Sequence, residues 1–119
     1  MSFLVNLSTD KAVVELIFEG TVDREQFLES RQRLRPLIAG KDVHSVLVDM
    51  RKLDWEMSTM DIHEFARTIQ HPTTIRIAIL HRAEDRDARF FETVAKNRGK
   101  LVSAFTDPVE AYKFLGDKG

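Results

Sequence analysis

A short apolar run ending on an acid restricts this chain more than any other feature. Within HSVLVDMRKLDWEMSTMDIHEFAR, from His44 to Arg67, the run Val46-Leu47-Val48 shows no polar alternation. A strand with one face in water alternates polar with apolar residues, whereas a strand covered on both faces does not. Val43 to Met50 therefore reads as a covered strand closing at Asp49, followed by a polar loop and a helix that opens at Ser58. Strands of this kind belong to α/β domains, where strand carboxyl ends face helix N-termini and ligands or partners bind. Function is expected in the segment Arg51 to Ser58.

The flanking sequence supplies the other elements. Phe3–Ser8 and Ala12–Gly20 are strand-like runs separated by Thr9, Asp10 and Lys11, a hairpin pattern. In the second run Val14, Leu16 and Phe18 share a face opposite Glu15 and Glu19, and Gly20 is expected to end it. Asp23 with Gln26, and Val22 with Phe27, predict a capped and stapled helix start. That helix turns Phe27, Leu34, Leu37 and Ile38 inward, carries Pro36 in its last turns and exits at Gly40. Ser58 and Asp61 open the next helix, with Ile62, Phe65, Ala66 and Ile69 inward and His71-Pro72 as the stop. Ile75 to His81 is a strand, and Glu84 and Asp85 suit the positive end of a helix that finishes at Lys96, Arg98 and Gly99. Leu101–Phe105 is the last strand, and Asp107-Pro108-Val109-Glu110 opens a final helix stopped by Gly116. The order ββαβαβαβα predicts one α/β domain over residues 1–119, with a mixed, mostly parallel five-stranded sheet and four helices.

Composition narrows function by exclusion. A chain of 119 residues that is 43% apolar and 31% charged can bury a core without disulfides or metals. Its 18 basic and 19 acidic residues leave a net charge of -1, too balanced to hold nucleic acid by its field. Arg31, Arg33 and Arg35 with Lys41 form a basic cluster lacking interleaved aromatics, so it reads as a solvated helix face, with Arg33 paired to Glu29. The absence of cysteine excludes thiolate chemistry. MSFLVNLSTDK lacks a signal-peptide pattern, and no apolar run approaches the roughly 20 residues of a membrane span, so a cytoplasmic protein without a transmembrane segment is expected. Asp49, Asp54, Glu56 and Asp61 do not have calcium-loop spacing, and His44, His63, His71 and His81 do not have helical zinc spacing. His81 alone of the histidines ends a strand near the candidate region. No metal, cofactor or catalytic residue is predicted, and no nucleophile–base pair argues for an enzyme.

Taken in order, the segments FEGTVDREQF, LRPLI, VLVDMRKLDW, HPTTIRIAIL and AFTDPVEAYKFLG resemble the STAS group, the sulfate-transporter and anti-sigma-factor-antagonist domains. The likeness is greatest to the SpoIIAA-like subgroup of short bacterial proteins. The resemblance implies a non-enzymatic regulatory module that contacts a protein partner through Arg51, Asp54, Trp55, Met57, Ser58 and Met60. By position Asp49 matches the family's strand-end acid, and Ser58 matches the serine that a partner kinase phosphorylates. Met57 and Met60 stand where the family usually has Asp and Gly. Trp55, Met57 and Met60 have two readings: a plug at the core's edge, or an adaptable apolar surface. Such a surface could serve a protein partner, or an oily ligand such as a lipid held with Ile62 and Phe65. A homodimer is compatible with the sequence.

Overall fold

The computed structural model describes residues 2–8, 13–38, 45–68 and 75–116. The expected turn at Thr9–Lys11 lies outside the described residues, as do Gly40, Lys41, His44, Ile69, His71 and Pro72. The strands β1 (Ser2–Ser8), β2 (Val13–Val22), β3 (Ser45–Trp55), β4 (Arg76–Leu80) and β5 (Leu101–Phe105) form one sheet in the order β1-β2-β3-β4-β5. β2 to β5 run parallel, and β1 pairs antiparallel with β2.

The crossovers between neighbouring parallel strands are α1 (Arg24–Ile38), α2 (Thr59–Arg67) and α3 (Arg86–Asn97). Successive right-handed crossovers to the adjacent strand place their helices on the same face of a sheet. Phe27 and Leu34 of α1, Ile62 and Phe65 of α2, and Phe91 and Val94 of α3 accordingly share one core with Leu16, Phe18, Val46, Val48, Ile77 and Ile79. The fourth helix, α4 (Pro108–Gly116), sets Ala111 and Leu115 over Val13, Leu47, Ala78 and Leu80 on the other face. The apolar run in β3 follows from this arrangement: Val46 and Val48 meet three helices, and Leu47 meets α4.

Local chemistry fixes the helix ends. Gln26 N donates to Asp23 Oδ1 at 2.9 Å and Asp23 N to Gln26 Oε1 at 3.1 Å, a reciprocal capping box ahead of buried Val22 and Phe27. At the end of α3, Gly99 has φ +80, its amide donates to Lys96 O at 2.9 Å, and the Lys100 amide reaches Ala95 O at 3.2 Å. This is a Schellman stop, which needs a residue tolerant of positive φ.

Three expectations are corrected. β2 continues through Gly20 to Val22, with Gly20 at φ +81 inside the strand. β3 does not close at Asp49; it continues through Trp55, so most of the expected loop is strand. Ile17 pairs with Asp49 but Glu19 pairs with Lys52, so β3 carries one extra residue there. Such a bulge shifts the alternation of side chains. Val46, Val48 and Met50 face the three helices before it, and Leu53 and Trp55 do so after it. The third correction is Arg31, which is half-buried rather than solvated. It donates to Thr68 Oγ1 at 3.0 Å and to the Phe65 carbonyl, with its guanidinium 5.2 Å from the Phe65 ring centroid.

Candidate functional site

Parallel strands deliver the starts of α2 and α3 to the same end of the sheet. Ser58 is the N-cap of α2, with extended backbone (φ -71, ψ 161), and its exposed hydroxyl accepts the Asp61 amide at 3.1 Å. Asp61 in turn lies 3.6 Å from Arg24 at the start of α1. Met60 follows in the first turn and is 82% exposed. Met57, two residues on from the strand, rests half-buried against the main core.

Trp55 is tied down on two sides. Its ring stacks on Phe27 with centroids 6.1 Å apart and 23° between planes, and its Nε1 donates to Asp85 Oδ2 at 3.1 Å. The other oxygen of Asp85 caps α3 by accepting the Ala88 amide at 3.0 Å. One buried carboxylate thus joins the end of β3 to the start of α3. Burial first, and then the charge of Asp85, raise the pKa of neighbouring Asp87. Arg82 spans the same end: Nη2 donates to Leu53 O at 3.1 Å, and the guanidinium lies 3.9 Å from both Asp54 and Glu84.

The expected site residues therefore divide. Trp55, Met57, Ser58 and Met60 gather at the start of α2, and Asp54 is exposed beside Arg82. Arg51 lies apart from them, gripping Asp49 through Nε (3.1 Å) and Nη2 (2.9 Å), a hydrogen bond that raises the Arg51 pKa. This pair neighbours Tyr112 of α4, whose hydroxyl donates to Glu15 Oε2. Burial above all, then that hydrogen bond and the charges of Glu15 and Asp49, push the Tyr112 pKa up to about 12 against the opposing pull of Arg51. His81 is 3% exposed, with Nδ1 2.6 Å from Arg82 O and its amide donating to Phe105 O at 2.9 Å. It is a partnered structural group. His63 is exposed on α2, its ring 6.1 Å from that of Phe90.

Sequence reasoning missed the Trp55–Asp85 bond, the Tyr112–Glu15 bond and the role of Arg31. All three join residues more than 29 positions apart, beyond the reach of periodicity or capping rules. The apolar-ligand expectation gains no support from the packing. A cavity of about 50 Å³ lies between the sheet and α1, lined by residues including Phe18, Phe27, Val48, Ile79 and Phe91, with Ser30 and Arg31 among them. Small-molecule sites run to roughly 300–1,000 Å³. Met57, Met60, Ile62 and Phe65, the residues expected to hold a lipid, do not line it. Among the described residues no group of three or more histidines and acids could hold a metal ion, and no helix is long and apolar enough to cross a membrane.

No protein-family profile matches the chain, and no curated protein does. Solved structures do match. A protein of the DUF3478 family with a SpoIIAA-like fold, from Shewanella loihica PV-4, is similar with a TM-score of 0.63 at 19% identity, over 96% of this chain and 92% of that one. The anti-sigma factor antagonist SpoIIAA in its unphosphorylated form gives 0.62 at 16% identity, over 94% of each chain. The Bacillus cell fate determinant SpoIIAA in its phosphorylated form gives 0.58 at 14%, over 92% of this chain and 96% of that one. The chain has the SpoIIAA-like fold.

Proposed function

We propose that this chain is a non-enzymatic regulatory module that binds a protein partner through the start of α2. The observation carrying this reading is Met60, a flexible apolar side chain 82% exposed in the turn that Ser58 caps. Unbranched, polarizable methionines suit surfaces that adapt to a partner. Met57 and Trp55 supply an apolar floor behind it, with only their outer parts available for contact. Asp54 adds charge at the rim; Arg51, held by Asp49 on the α4 side, is the outlying member of the expected set. SpoIIAA, an anti-sigma factor antagonist with solved phosphorylated and unphosphorylated forms, shares this fold and supports a regulatory reading.

Ser58 is the candidate switch of the same surface. A phosphate at a helix N-terminus meets unpaired amides and the positive end of the dipole, so the modified cap remains compatible with α2 while adding charge beside Met60. The test captures partners from the native organism with tagged wild type, Met60→Lys and Ser58→Asp, alongside thermal melts. Both substitutions fall on exposed positions and leave the melting temperature within about 2 °C, since surface changes stay near ±0.5 kcal/mol. Wild type retains a protein that Met60→Lys loses; identical partner sets across the three proteins refute the assignment. Fragmentation of the Ser58-containing peptide from chain isolated from native cells reports whether Ser58 carries phosphate.

A further inference from the structure

Among the described residues, the last strand leaves one edge of the sheet open. β5 pairs with β4 on one side, and no strand covers its other side among the described residues. Phe105 O accepts the His81 amide at 2.9 Å, so Phe105, and with it Ser103 and Leu101, direct their backbone groups towards β4. Val102 and Ala104 therefore direct theirs outward. The strand LVSAF contains no charge, and Leu101 is 45% exposed. A short uncharged edge with outward amides and carbonyls is a template for another strand.

The edge is also self-complementary. An antiparallel two-fold centred on Ser103 would set Val102 of one copy opposite Ala104 of another, the two outward-facing positions. The same operation would set Leu101 opposite Phe105, both apolar and on one face. At Ala104 this template is interrupted. Its amide donates to Glu92 Oε2 of α3 at 2.8 Å, and Lys96 holds the same oxygen at 3.1 Å. The Glu92 side chain is 20% exposed, sunk between helix and strand.

We propose that Glu92 closes the outer edge of β5 and thereby keeps two copies of this chain from joining their sheets through Leu101–Phe105. A carboxylate is suited to this because it only accepts hydrogen bonds. It satisfies the Ala104 amide, and it sets negative charge where an incoming strand would place its own carbonyl oxygen. Nothing in this depends on the surface at Met60, which lies at the start of a different helix.

The test compares the oligomeric state of wild type, Glu92→Gln and Glu92→Ala by light scattering over a wide concentration range, together with amide exchange at Ala104. Wild type is monomeric, with the Ala104 amide protected at least about tenfold relative to an unstructured chain. Glu92→Gln keeps an acceptor oxygen and stays monomeric. Glu92→Ala dimerises with rising concentration, and adding Ala104→Pro, which removes the outward donor, restores the monomer. A Glu92→Ala protein as monomeric as wild type overturns the proposal, as does association that survives Ala104→Pro. If Glu92→Ala does not fold, the wild-type exchange still decides: an unprotected Ala104 amide overturns it.

Discussion

Replacing Trp55 by alanine should destabilise the whole domain. The ring is half-buried, stacks on Phe27 at 6.1 Å, and hydrogen-bonds the buried carboxylate that caps α3. Removing a large aromatic from a core costs about 3–5 kcal/mol, and partial exposure places Trp55 at the lower end, near 3 kcal/mol by the same scale. With unfolding entropy of about 2.1 cal/mol/K per residue, a chain of this length loses about 4 °C per kcal/mol, so the expected drop is about 12 °C. Trp55→Phe keeps the stack and loses the N–H donor, for about 1 kcal/mol. The assay is thermal and urea unfolding followed by far-ultraviolet circular dichroism, because Trp55 is the single tryptophan and its fluorescence disappears in the variant. A double-mutant cycle of Trp55→Phe with Asp85→Ser isolates the bond, since serine still caps α3 but does not reach the indole; the coupling should be about 1 kcal/mol. A Trp55→Ala protein within about 0.5 kcal/mol of wild type would refute this and free the ring as a contact surface.

Two further perturbations follow from the long-range bonds. Tyr112 is the single tyrosine, so its ultraviolet ionisation should show one midpoint at about 12, which Glu15→Gln lowers. A folded pKa raised above the unfolded value of about 10 means that the associated stability is complete below pH about 10 and declines as pH rises towards about 12; a midpoint near 10 in the folded protein counts against the Glu15 bond. Arg31→Met keeps the apolar stem but removes the donors to Phe65 and Thr68, and should cost about 1–2 kcal/mol by urea unfolding, with little dependence on salt because the group is half-buried. A variant as stable as wild type would return Arg31 to the solvated face.

What the sequence carried legibly was local. Asp23 with Gln26, Ser58 with Asp61, and Gly99 with Lys96 each act within a few residues, and each makes the bond its type and spacing foretell. Ile62, Phe65 and Ala66 of α2 also point inward as their periodicity requires. Contacts between distant segments were not legible, because nothing in WEM or RAED says that an indole and a carboxylate will meet. Arg31 misled for the same reason. Three arginines at alternate positions look solvated until the end of α2 arrives above one of them and offers a carbonyl.

The bulge in β3 is the case where a local rule failed on its own ground. Strict alternation carried forward from Val46 and Val48 would bury position 52, a lysine, and expose position 53, a leucine. A sequence reader therefore ends the strand at Asp49, where the polar residues begin. The chain instead inserts one residue, after which alternation resumes with Leu53 and Trp55 inward and Lys52 and Asp54 outward. Adjacent exposed Arg51 and Lys52 are the residue-level mark of that insertion. Its consequence reaches the candidate site directly. Without the extra residue Trp55 would face away from Phe27 and Asp85, and the two helix starts would lose the bond between them. The strand extension holds Trp55 in place, and only Glu56 to Ser58 remain to carry the chain into α2, so Met60 emerges from a rigid base rather than from a long loop. The proposed contact surface, built in this way, would present its apolar group with little conformational entropy left to lose on binding, apart from that of the methionine itself.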